Sequence, residues 1–311
     1  MVDESVHQLV LLHGWKKARE LATAKRKHLV DIAAEVMADE VGRIGITYAG
    51  FCLTSLPHKR LADGEVWQKR GHRVTLLVEP GSMQVAGQIK PFGIPYGARA
   101  RLILLYLQSE ATRTGSREVE IGKSMRAWME RMGLAVGGET AKALREQAAR
   151  ISACSLKFFW EGEGASGWKR GGIISAGLRF HAEDMPEQPR LWEDKVILDE
   201  LFWEALKSHP VPLREAALRE LKDRSMSLDL YVWLAYRLHQ LEKPTPIRWA
   251  ALLAQFGGGY KDPSHFRPRF RDALAASLAA YPEARVSVGD DGITLNPSAP
   301  PVPHRRSLDA L

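Results

Sequence analysis

Cysteine is scarce in this sequence: 311 residues contain two, Cys52 and Cys154. That number cannot build a disulfide framework or a Cys-based zinc site, and it fits a reducing cytoplasm. Long hydrophobic runs are missing as well. No apolar stretch approaches the ~20 residues of a membrane helix. The N-terminal apolar run, residues 9–12, is short and follows Asp3 and Glu4, so neither a membrane span nor a signal peptide is expected. Acid is outweighed by base: 37 Asp+Glu face 44 Lys+Arg, a net charge of +7, which points weakly to a polyanionic partner. With 45% hydrophobic and 26% charged residues the chain reads as globular, and its length suits two domains.

Catalytic constellations are also lacking. The run 162–167 (GEGASG) matches the dinucleotide glycine pattern, but strand follows it where a helix must start. Gly122-Lys123-Ser124 opens a helix in the manner of a phosphate loop, yet Arg117 and Gly115 leave the required upstream glycine out of place. His181-Ala182-Glu183 lacks the Cys-x-x-Cys of a zinc deaminase. Asp290-Asp291 reads as a hairpin tip. No enzyme activity, metal or cofactor is expected.

What is present is an order of elements. Residues 1–45 read as helical, with a basic run at 14–28 in which Lys16, Lys17, Arg19, Lys25, Arg26 and Lys27 oppose only Glu20. It is either a solvated face or a phosphate-binding arm. Strands at 72–78 and 83–89 precede a helix at 98–110 and a short β-run at 117–121. Ser124 caps a helix through 132. Gly137-Gly138 then turns into a helix over 139–153, with Leu144, Ala148 and Ile151 inward and Lys142, Glu146 and Arg150 outward. Strands at 156–160 and 172–180 enclose a Gly-rich connection holding Trp168-Lys169-Arg170. Pro186, Pro189 and mixed charge mark a boundary over 181–193.

The second half repeats the plan. A mixed segment at 195–205 and a helix at 212–221 lead to a helix capped by Ser227 and running to 241. A helix at 247–256, the turn Gly257-Gly258-Gly259, a helix at 268–280 and an Asp-Gly hairpin over 285–295 follow. Twice, then, helix, helix, turn, helix and hairpin succeed one another. The expected fold is α+β, mainly α, with tandem winged helix-turn-helix domains. Its parts are a basic helical segment at 1–45, a first winged helix at 46–182, a second at 190–298, and a disordered Pro-rich tail at 299–311.

In such a motif the N-terminal part of the recognition helix meets the major groove. The stretch Lys261, His265, Arg267, Arg269 and Arg271 precedes and enters the helix at 268–280. Phe270, Leu274 and Leu278 form its inner face, and Phe266 also goes to the core. Arg269 lies opposite, with Asp272 and the small Ala273 and Ala276, and is the candidate base contact. Lys261, Arg267 and Arg271 suit phosphates. In the first half Lys142, Arg145 and Arg150 occupy the equivalent outward face, with Glu146 repelling phosphate among them, and Lys169 and Arg170 the wing. That face could equally meet protein.

Further residues carry a resemblance. They are Leu56-Pro57-His58, the run 93–102 (GIPYGARARL), Lys157-Phe158, the run 227–238 (SLDLYVWLAYRL), Trp249, Phe256-Gly257, Phe266, Tyr281-Pro282 and the run 292–298 (GITLNPS). In this order the sequence resembles the plasmid-encoded replication initiators of the RepA type, from about residue 48 to 303. The resemblance implies binding to repeated double-stranded origin sequences (iterons), local duplex opening, and recruitment of the host initiator and replicative helicase. It also implies a monomer–dimer equilibrium, with the C-terminal winged helix reading the groove and the N-terminal one serving dimerisation and backbone contacts. A transcriptional regulator without a replication role needs the same groove contacts and is the alternative.

Overall fold

A capping box opens the first helix, α1 (Val6–Leu21): Ser5 Oγ accepts from the Gln8 N–H at 3.2 Å, and the Ser5 N–H donates to Gln8 Oε1 at 3.0 Å. Gly14, at φ 70 and ψ 163, kinks it. In α2 (Lys27–Met37), Asp31 accepts from Trp15 Nε1 at 2.8 Å and pairs with Arg19 at 2.9 Å, fixing α2 to α1. The chain continues through β1 (Ile44–Tyr48), α3 (Ala49–Leu53), β2 (Trp67–Arg70), β3 (Val74–Glu79), β4 (Gly81–Val85), β5 (Gln88–Phe92), α4 (Gly97–Thr114) and β6 (Glu118–Glu120). Next come α5 (Met125–Arg131), α6 (Gly138–Ala153), β7 (Ser155–Gly162), β8 (Ala165–Gly171), β9 (Ile174–Ala176), β10 (Lys195–Leu198), α7 (Glu200–Ser208), β11 (Pro210–Arg214) and α8 (Glu215–Glu220). The last elements are α9 (Ser225–Arg237), β12 (Thr245–Arg248), α10 (Trp249–Phe256), α11 (Pro263–Ala279), β13 (Val286–Val288) and β14 (Gly292–Leu295). The fold is α+β and mainly α. This computed structural model describes residues 5–85, 87–162, 165–176, 195–260 and 262–303.

The chain forms two units: one holds the described residues up to Gly45 and from Val211 onward, the other those from Ile46 to Pro210. In the middle unit, β10 sits between β6 and β9 in an antiparallel sheet, with Val196 opposite Val119 and Ile197 opposite Ala176. Val119, Val196 and Leu198 are buried there. The division therefore falls after Pro210 and not between 182 and 190, because β10 completes the sheet begun by β6. The expected hairpin at 156–180 also pairs elsewhere. β7 and β8 join β2 and β3 in the order β2-β3-β7-β8, with Leu76 opposite Phe158. The expected boundary at 181–193 lies outside the described residues. The single strand expected at 83–89 is two strands, with Met83 opposite Lys90.

Edge-to-face rings fill the core of this unit: Tyr48 and Phe51 lie 5.1 and 5.4 Å from Phe158, and Phe202 lies 6.2 Å from each of them. Arg101 is buried, and its charge is satisfied by carbonyls. Its guanidinium donates to Leu56 at 2.6 Å, Gly97 at 2.8 Å and Pro57 at 3.2 Å, fixing the loop before α4. Ser124 caps α5 as expected, accepting from the Ala127 N–H at 3.1 Å.

In the other unit α2 packs against α8 and α11, and His7 Nε2 donates to the Ala279 carbonyl at 2.9 Å. The N-terminal helices are thus part of this unit. Residues 210–214 are strand and not helix: Val211 and Leu213 alternate inward and are buried. Ser227 does not cap α9, which begins at Ser225; Ser227 is buried in its first turn, and its carbonyl accepts from Ser277 Oγ at 2.8 Å. β12, β14 and β13 form an antiparallel sheet in that order. The chain after it is packed as far as residue 303, against the expectation of disorder from 299. The Tyr281 hydroxyl donates to the Ala299 carbonyl at 2.7 Å, and Val302 is buried. Residues 304–311 lie outside the described residues.

Candidate nucleic-acid interface

α11 begins five residues earlier than the sequence suggests. Asp262 caps it, accepting from the Ser264 N–H at 2.7 Å, and Pro263 suits the first turn. That hydrogen bond holds the Asp262 carboxyl below the usual carboxylate range. The helix then carries Pro268 in its interior. Phe266 and Phe270 are core, as expected. Their rings lie 5.3 Å apart, with Phe270 5.7 Å from Trp249 and 5.8 Å from Phe256.

His265, Arg267, Arg269 and Arg271 are all exposed. At 100° per residue, Pro268 marks the middle of the exposed arc, with Arg267 and Arg271 on one edge and His265 and Arg269 on the other. The guanidinium groups of Arg267 and Arg271 lie 5.7 and 5.4 Å from the centre of the Trp249 ring, and Arg271 Nη2 donates to the Gly289 carbonyl at 3.4 Å. These two arginines are therefore oriented by packing as well as by charge. Asp290 and Asp291 are exposed at the tip of the β13–β14 hairpin. Ala273 and Ala276 do not share the open face with Arg269: both are buried. Small side chains suit close helix packing as well as they suit a groove, and α2 packs on α11. Lys261 lies outside the described residues.

The α6 candidates part company. Lys142 is exposed and Arg145 half-buried. Arg150 is buried, against the expectation of an outward contact. It pairs with Asp63 and Glu146, each at 3.1 Å, donates to the Ile94 carbonyl at 3.2 Å, and lies 5.3 Å from the Tyr96 ring centre. Asp63 stands 87 residues away in the chain, so α6 alone gives no sign of this partner. Glu146, expected to repel phosphate, is occupied by Arg150 and Arg60 and accepts from the Tyr96 hydroxyl at 3.2 Å. Lys169 and Arg170 stand on β8, which pairs with β7 in the four-stranded sheet; their side chains lie outside what the structure describes.

Trp249 was missed as an organiser of the arginines. Its signal was weak, since an aromatic in the first turn of a helix reads as core. Among the described residues no cluster of three or more His, Cys, Asp or Glu side chains could hold a metal ion. No described helix is long and apolar enough to cross a membrane.

The signature described as plasmid encoded RepA protein matches residues 94–252, just over half of the chain. The chain belongs to this family, the RepA-type replication initiators whose sequence it resembles. It is also similar to a crystal structure of selenomethionine derivatives of domains 2 and 3 of RctB, at 10% identity and a TM-score of 0.47, over 70% of this chain and 79% of that one. A second crystal structure of RctB domains 2–3 is 12% identical, with a TM-score of 0.45, over 70% and 78%. No curated protein matches the chain.

Proposed function

We propose that this protein initiates plasmid replication by binding repeated double-stranded origin sequences, with α11 in the major groove, and that each unit contains a winged helix. The observation that carries the reading is the recurrence of one topology. In one unit α9, β12, α10, α11, β13 and β14 follow in order around a sheet ordered β12-β14-β13. In the other, α4, β6, α5, α6, β9 and β10 follow around a sheet ordered β6-β10-β9, with β7 and β8 as an insertion. The third helix of a winged helix docks its first turns in the groove, and the first turns of α11 carry the exposed arginines. Binding opens the origin and recruits the host initiator and helicase. The middle unit supplies the dimer contact and backbone contacts through Lys142 and Arg145. The reading assigns no catalytic step, and it places the protein in the cytoplasm with the plasmid.

The test is a nuclease footprint of the full chain on the DNA adjoining its gene. Direct repeats protected over about 20 bp each are expected. With about six phosphates contacted per site, affinity falls on the order of a thousandfold between 50 and 200 mM salt. Salt-independent binding, or protection without repeats, overturns the reading. Protection of a promoter with no support of plasmid replication reassigns the protein as a transcriptional regulator.

A further inference from the structure

The basic run near the N-terminus has no role in the reading above, and the fold brings its end to the side of α11. α2 packs on α11, and Lys25, Arg26 and Lys27 stand at the start of α2. Burial, followed by the nearby charge of Arg224, pushes the next residue, His28, below the ordinary imidazole value, while Asp272 opposes the shift. His28 therefore lies near both Arg224, at the start of α9, and Asp272 of α11. Asp272 is one turn beyond Arg269. Lys25 and Arg224 are exposed and Lys27 half-buried. Lys17 and Arg19 are taken up by Glu20 and Asp31, but Lys25 and Lys27 form no ion pair among the described residues. On the opposite flank of α11 stand Arg267 and Arg271, held against Trp249, and the hairpin beside them adds no further basic side chain. The hairpin over 286–295 contains no lysine or arginine, and its tip exposes Asp290 and Asp291.

We infer that Lys25, Lys27 and Arg224 form a second phosphate-contact strip beside the Arg269 edge of α11, so that the N-terminal segment is part of the DNA-binding surface of its unit. The inference rests on α11 being the groove-binding helix. Charge decides the partner: a duplex offers phosphates on both sides of the groove that α11 enters, and on the hairpin side Arg267 and Arg271 already stand beside the carboxylates of Asp290 and Asp291. The strip extends the attraction on the other side beyond Arg269. Its contacts go to the backbone, so they add affinity and salt dependence without base preference.

The test uses the full chain and fluorescence anisotropy with two labelled 40-bp duplexes. One has random sequence and the other is recovered from a random pool by selection with the unaltered protein. Each phosphate contact contributes about 0.9 to the slope of log affinity against log salt. K25A/K27A/R224A is expected to flatten that slope by about 2–3 on both duplexes while keeping the ratio of their affinities. K25R/K27R/R224K restores the slope, which separates charge from folding. Arg269→Ala instead lowers the ratio. An unchanged slope in K25A/K27A/R224A, with the unaltered protein binding both duplexes, overturns the strip and leaves α11 standing. If the unaltered protein binds neither duplex, the reading of α11 falls and the strip with it.

Discussion

Arg150→Ala separates a structural arginine from a DNA contact. The side chain is 5% exposed and has four polar or π partners: Asp63, Glu146, the Ile94 carbonyl and the Tyr96 ring. Gly93 leaves room for it, since a Cβ there would come within 2.5 Å of Arg150 Nη1 and 2.7 Å of Asp63 Oδ1. Removing one partner of a buried pair costs about 3–5 kcal/mol when the other is left dry. Here Asp63 and Glu146 keep 49% and 37% exposure, so water takes over much of their solvation. The expected cost of Arg150→Ala is therefore smaller, about 2–3 kcal/mol. For a unit of this size that lowers Tm by roughly 4–12 °C, at about 2–4 °C per kcal/mol. Arg150→Met keeps the apolar stem and recovers part of the loss. The pH dependence has a definite sign. Hydrogen bonding to Arg150, opposed by desolvation, holds the Asp63 carboxyl below its ordinary value of 3.8. A depressed carboxyl stabilises the fold above its unfolded value, and that stability is lost as pH falls through the folded one. The gap between the unaltered protein and Arg150→Ala therefore narrows as pH falls from about 5 towards 3. Thermal unfolding followed by circular dichroism reads both effects, and anisotropy reads DNA affinity, which is expected to keep its salt slope. Unchanged unfolding together with a flattened slope would falsify the burial argument and return Arg150 to the DNA-facing set.

Two further variants probe the unit that holds α11. Tyr281→Phe removes the hydroxyl that donates to Ala299; we expect a loss of about 1 kcal/mol and faster limited proteolysis after residue 296, and an unchanged digestion pattern would show that this bond does not hold the segment. His7 is pushed below its ordinary 6.5 by burial, against the Ala279 carbonyl and Glu283, with Arg214 adding least to the shift. Its neutral form therefore stabilises the fold above pH 6.5, and that contribution is lost as pH falls through the lower folded value. His28 is shifted in the same direction. His7→Gln combined with His28→Gln is expected to flatten the change in Tm between pH 7 and pH 5, and a Tm that still falls as steeply would assign the pH response to other groups.

Local signals in the sequence were reliable where the cause was local. Ser124 caps a helix because its hydroxyl reaches an N–H three residues on, and Phe266 and Phe270 are core because they share one helical face. The Asp-Gly hairpin over 286–295 is fixed by its own turn. The misses share a different property: the partner is far away in the chain. β10 pairs with β6 across more than seventy residues, so its alternating pattern said strand without saying whose. β7 forms the expected local pairing with its successor β8 but also pairs with the distant β3. Arg150 reads as solvent-facing on a wheel because Asp63 is invisible from α6. Ala273 and Ala276 read as an open face because helices distant in the chain, α2 among them, pack on α11.

That last miss sharpens what α11 can read. An arc of small residues next to an arginine suits a nucleic-acid groove and a neighbouring helix equally, so size does not discriminate between them, but burial does. The fully exposed part of α11 ends at Asp272: beyond it Ala273, Ala276, Ser277 and Ala279 are buried and Ala275 is half-buried. Residues 264–272 rise about 13 Å along the helix axis at 1.5 Å each. A helix lying along the major groove with that much free length spans about four base pairs at ~3.4 Å apiece. If α11 is the groove-binding helix, as proposed, base-specific contact by this unit is thus confined to a core of about four base pairs, within which His265 and Arg269 face one side and Arg267 and Arg271 the other. Any wider footprint must be built from backbone contacts, from the middle unit, or from a second copy of the chain.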